Sequence, residues 1–138
     1  MKSRAAECSL DDTLATLPSA VRPIVEAARQ TVRKAARAAE EVACQSKSPR
    51  SASMMWKLAR YAVHGEVVVT IGTFTKHSSM FFARGAELDD ASGLLEGTGR
   101  KLRYITLRTP ADARRAGVEA LLRKAFALVD TPAPDRSQ

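Results

Sequence analysis

The sequence predicts an α+β domain in two layers: an N-terminal helix, an antiparallel sheet of about five strands, and a C-terminal helix packed on the sheet. Three observations carry this expectation. Apolar residues recur at helical spacing from Pro18 towards Glu41, β-branched residues crowd the segment Glu66 to Phe74, and a helix-start signature stands at Thr109-Pro110-Ala111-Asp112. The strand-like segments are joined by short connections, which favours antiparallel neighbours.

Residues up to about Thr16 read as a loosely held tail, so the domain is expected to run from 17 to 129, with a second tail over 130–138 that contains Pro132 and Pro134. The first helix is expected to start near Pro18, where a missing amide costs nothing, and to end around Glu41. Val21, Val25, Ala28, Val32 and Ala35 form its apolar stripe, with Arg22, Arg29, Arg33 and Arg37 on the other side. Ser46 to Ser53 (SKSPRSAS) is polar, basic and broken by Pro49, as befits a loop. Strands are expected over Lys57 to His64, Glu66 to Phe74, His77 to Ala83 and Arg103 to Arg108, with His64-Gly65 as the first turn. In the third of these, Ser79 and Phe81 point one way and Met80 and Phe82 the other. Gly85 to Gly99 reads as an acidic, glycine-punctuated crossover with one helical turn at Leu94 and Leu95. The last helix starts with a threonine N-cap, proline at N1 and Asp112 at N3, and buries Val118, Leu121, Leu122, Ala125 and Val129.

Composition narrows the function. A chain of 138 residues can close one core unaided, and its two cysteines, Cys8 and Cys44, form neither a C-x-x-C pair nor a ligand cluster, so a disulfide framework or zinc knuckle is not expected. Met1 to Leu17 has no continuous apolar run of the signal-peptide kind, and no segment approaches the ~20 apolar residues of a membrane span. The expected location is cytoplasmic. Lys and Arg number 22 against 15 Asp and Glu, a net charge of +7 that attracts anionic partners. The charge is patterned: Lys47, Arg50, Lys57 and Arg60 lie in a stretch without acids, whereas Glu87, Asp89, Asp90 and Glu96 lie in one without bases.

The runs FTKHSSMFFARGAEL (Phe74 to Leu88) and LLEGTGRKLRYITLRTPAD (Leu94 to Asp112) resemble the YdhG-like family of uncharacterised bacterial domains. Phe74, Lys76, His77, Phe82, Gly85, Leu88, Gly93 to Gly99 and Arg103 match that family's pattern, and the resemblance covers about Leu17 to Leu128. It implies a frataxin-like two-layer shape, and some relatives are described as intracellular iron chaperones. The match weakens from Gln45 to Met55, and the resemblance implies no catalytic residues.

No nucleophile, paired-carboxylate or metal-ligand pattern stands in the sequence, so catalytic residues, metal ligands and cofactors are all expected to be none. His64 and His77 lack ligand-spaced partners, Cys44 reads as a small buried hydrophobe, Trp56 as an anchor for the sheet, and Glu87, Asp89 and Asp90 as solvated charges. The best candidate for ligand contact is Gly97, Thr98, Gly99, Arg100, Lys101 and Arg103, where two glycines free the backbone and three cations follow, the composition of an anion-binding nest. Lys76 and His77 join it if their turn lies at the same end of the sheet. The plain alternative is that the glycines only admit the chain to its last strand. The sequence therefore points to a non-enzymatic binding protein for a small anionic ligand or acidic partner. An iron chaperone is the second reading, set back by a basic first helix. Weak nucleic-acid binding through Val42 to Gly65 is the third, with no recognised motif behind it. No membrane partner is expected, and the oligomeric state is left open.

Overall fold

The computed structural model describes residues 10–43, 56–90 and 93–130. The expectations for Cys8, Cys44, the loop Ser46 to Ser53 and the tail after residue 130 lie outside them. The class is α+β. Among the described residues four α-helices, α1 (Leu10–Ala15), α2 (Arg22–Ala35), α3 (Pro110–Ala113) and α4 (Ala116–Ala127), accompany five strands, β1 (Glu40–Ala43), β2 (Trp56–Val63), β3 (Glu66–Thr73), β4 (Ser78–Phe82) and β5 (Arg103–Leu107). The sheet is a meander in the order β1-β2-β3-β4-β5, antiparallel throughout.

Packing accounts for most of the pattern. Val21 at the N-cap and Ile24, Val25, Ala28 and Val32 of α2 share one core with Val69, Ile71, Met80, Phe82, Ile105 and Leu107 of the sheet, and Val118, Leu121, Leu122 and Ala125 of α4 complete it. Each fully buried aliphatic side chain contributes roughly 1.5–3 kcal/mol. Met80 and Phe82 face the helices, as the alternation requires. Trp56 opens β2 and is buried, in its anchoring role.

Several boundaries differ from the sequence expectation. The folded unit starts before Leu17, because Leu10, Leu14 and Leu17, one helical turn apart, are all buried in the core. Arg22 then closes α1: its guanidinium donates to the carbonyls of Leu14 (3.1 Å), Ala15 (3.1 Å) and Leu17 (3.0 Å), satisfying groups that a helix end leaves open. The first long helix begins at Arg22, with Pro23 in its first turn, and stops at Ala35. Glu40 and Glu41 belong to β1, where Glu41 accepts two hydrogen bonds from Arg29, both 2.9 Å, and one from the Tyr61 hydroxyl at 2.6 Å. This tertiary clamp stops the helical pattern. The crossover's helical turn is a 3-10 turn at Gly85–Glu87, and Leu94 and Leu95 lie in no helix. Asp90 explains why: its carboxylate accepts from the amides of Gly93 (3.0 Å) and Leu95 (2.8 Å) and pins that stretch outside a helix. The Thr109 cap, Pro110 and Asp112 form a full capping box, but the helix they start ends at Ala113 and a second one follows.

The turn between β2 and β3 is His64-Gly65, both left-handed (φ 53° and 80°), the conformation of a two-residue type I′ hairpin. The outer edge of β5 is closed by Glu96 and Asp112. The amide of Tyr104 donates to the Glu96 carbonyl (3.0 Å), that of Thr106 to the Glu96 carboxylate (3.3 Å) and that of Arg108 to Asp112 (2.9 Å), which removes a free strand edge.

Candidate functional site

The glycine-rich turn lies beside the start of β5. Gly97 is left-handed (φ 112°), a backbone that side-chain-bearing residues rarely adopt, so the turn itself calls for glycine; a Cβ there would make only ordinary contact with the Tyr104 ring, at 3.5 Å. Thr98, Gly99, Arg100 and Lys101 are exposed. Arg103 folds back on the turn and donates from Nη1 to the carbonyls of Gly99 and Leu102. Carbonyls, not amides, therefore converge on this cation, and Arg103 closes the turn itself. Arg100 and Lys101 form no ion pair among the described residues, although the charge of Lys101 acts on Glu87.

Lys76 and His77 stand at the other end. Ser78 pairs with Leu107 and Phe82 with Arg103, so the length of β4, about 14 Å at ~3.4 Å per residue, separates them from the glycine turn. The register thus makes two groups of the sequence's single candidate site. The His77 ring stacks on Phe74 with centroids 4.5 Å apart and planes 18° from parallel. Partial burial, and then the charge of Arg108, hold the His77 imidazole below the ordinary histidine range.

The sheet face away from the core connects the two groups. One row across it reads Val42, Arg60, Thr70, Phe81, Tyr104, and the next reads Lys57, Gly72, Ser79, Thr106. Phe81 and Tyr104 are partly exposed and form a tilted ring pair with centroids 5.9 Å apart. Lys57 and Arg60 are three residues apart and would face opposite ways in a regular strand. The bulge between Lys57 and Ala59 turns buried Leu58 inwards and brings both cations to the outer face. Lys57, Arg60 and Arg108 are exposed, and none forms an ion pair among the described residues.

Several other charged side chains are already occupied. On α2, Arg29 and Arg33 reach Glu41 and Lys34 reaches Glu119, although these residues and Arg37 line a groove of about 500 Å³. Burial alone would raise the Glu41 carboxyl, but hydrogen bonds from Arg29 and Tyr61 and the charges of Arg29 and Arg33 outweigh it and hold the group ionised. Of the crossover acids, Glu87 pairs with Arg84 and Asp90 holds its own loop. Among the described residues no group of three or more His, Cys, Asp or Glu is placed to hold a metal ion, and no helix is long and apolar enough to cross a membrane.

Fold and face together define a two-layer α+β protein whose sheet presents rings and unpaired cations on the side away from its helices. No protein-family model, curated protein or solved structure matches the chain.

Proposed function

We propose that this is a cytoplasmic, non-enzymatic binding protein of YdhG-like type that holds an anionic partner on the outer face of its sheet and the turns that border it. The observation that carries the reading is the set of unpaired, exposed cations, Lys57, Arg60 and Arg108, around the two ring pairs Phe81–Tyr104 and Phe74–His77. Arg100 and Lys101 extend the positive field beyond the Phe81–Tyr104 end. An exposed cation without a carboxylate partner keeps its full charge for an incoming anion, whereas Arg29 and Arg33 of α2 would first have to give up Glu41.

Thermal denaturation with inorganic polyphosphate tests this, because a ligand that binds only the folded state adds about 2.7 kcal/mol at a hundred times its Kd. The midpoint is expected to rise in the wild type and to rise much less in Lys57→Ala/Arg60→Ala. An equal rise in both proteins, or none in the wild type, would remove the sheet face as the binding surface.

A further inference from the structure

Resting on that reading, we infer that the partner on the outer sheet face is single-stranded nucleic acid. Charge alone recruits any polyanion, but this face also offers flat groups. Phe81 and Tyr104 lie side by side on adjacent strands at one end, and Phe74 and His77 are stacked at the other, about four strand residues or 14 Å away. Bases stacked on aromatic side chains over a basic sheet are a recurring solution for unpaired strands, and two or three bases fit a sheet of this size. The cations are placed for the accompanying phosphates. Arg60 stands in the same cross-strand row as Phe81 and Tyr104, and Arg108 lies beside His77.

Thr70, between Arg60 and Phe81, and Thr106 on the next row add partly exposed hydroxyls to the same face. The carboxylates nearest the face, Glu40 and Glu96, stand at its two edges, and Glu96 is engaged by the Thr106 amide. A small anion would use the charges and leave the rings idle. A duplex would keep its bases out of reach of both ring pairs. Sequence motifs do not announce this surface, since its rings and cations come from four strands and meet only through the register.

The test is fluorescence anisotropy of the full chain with a labelled twelve-nucleotide oligothymidine, beside duplex DNA of equal length and competition by inorganic polyphosphate. The oligothymidine is expected to bind more tightly than the duplex. Three phosphate contacts, through Lys57, Arg60 and Arg108, would give a slope of about −2 in log K against log salt. Tyr104→Leu and Phe81→Leu, which keep apolar bulk, are expected to weaken the oligonucleotide at least fivefold while leaving polyphosphate competition within twofold; melting curves confirm that each variant is folded. If the ring variants bind oligothymidine like the wild type, or polyphosphate and duplex match it, the nucleic-acid inference is overturned and the anion reading stands. If neither oligothymidine nor polyphosphate binds, both fall.

Discussion

Gly85 gives a stringent test of how the crossover meets the sheet. It is buried at the start of the 3-10 turn, and a Cβ placed on it would overlap the Cβ of Arg103 and lie 2.9 Å from the Arg103 backbone nitrogen. Neither atom is the loose end of a side chain. Arg103 is held in register with Phe82, and the neighbouring Ala86 amide donates to the Lys101 carbonyl at 2.9 Å, so relief requires β5 to shift as a unit. Overpacking of this kind costs about 1–3 kcal/mol, less the ~0.4–1 kcal/mol gained by restricting the unfolded chain. The overlap of the two Cβ positions puts the net in the upper part of that range, about 1–2.6 kcal/mol; at about 3–4 °C per kcal/mol for a chain of this size, Gly85→Ala is expected to lower the midpoint by roughly 3–10 °C, followed by circular dichroism or calorimetry. Gly99→Ala is the control, since its Cβ would meet only the Leu102 carbonyl at 3.8 Å and its backbone is not left-handed. A Gly85→Ala midpoint within a degree of the wild type, or no lower than that of Gly99→Ala, would refute the packing argument.

Other consequences are as direct. Gly65→Ala, at φ 80°, should lose about 1 kcal/mol, while His64→Asn, at φ 53°, should melt slightly higher because asparagine tolerates that backbone; a stabilising Gly65→Ala would contradict the hairpin geometry. Removing the Glu41 charge with Glu41→Gln should cost about 1–3 kcal/mol in urea denaturation, and Tyr61→Phe about 0.5–1.5 kcal/mol, since each breaks part of one clamp between α2, β1 and β2. Because the native His77 value lies below 6.5, the unfolded chain takes up its proton first; stability should fall as pH drops from just above 6.5 towards the native value, and His77→Gln should flatten that window. An identical pH profile in the variant would show that His77 is not held as described.

The chain declares its fold where local chemistry and burial agree. The β-branched run of β3, the His64-Gly65 hairpin and the Thr109 capping box depend on near neighbours in sequence, and they appear where expected. Glu40 to Ala43 does not, because an alanine-rich helical pattern runs up to a strand whose place depends on Arg29 and Tyr61, far away in sequence or on another element. The Leu10, Leu14, Leu17 spacing was a visible helical signal, masked by polar neighbours. The candidate surface was legible only in part. Glycine and charge marked the 97–103 turn, but a strand register is needed to separate it from Lys76 and His77, and a bulge at Leu58 to bring Lys57 and Arg60 to one side.

The most direct test of the binding face is amide chemical-shift mapping of the isotope-labelled protein titrated with oligothymidine. Shifts are predicted to concentrate on Arg60, Thr70, Phe81, Tyr104 and the adjoining turns at Lys76-His77 and Gly97 to Lys101, and to leave α2 quiet. Shifts centred on Arg29, Arg33, Lys34 and Arg37, with the sheet amides unmoved, would place the partner on the helical side and contradict the account.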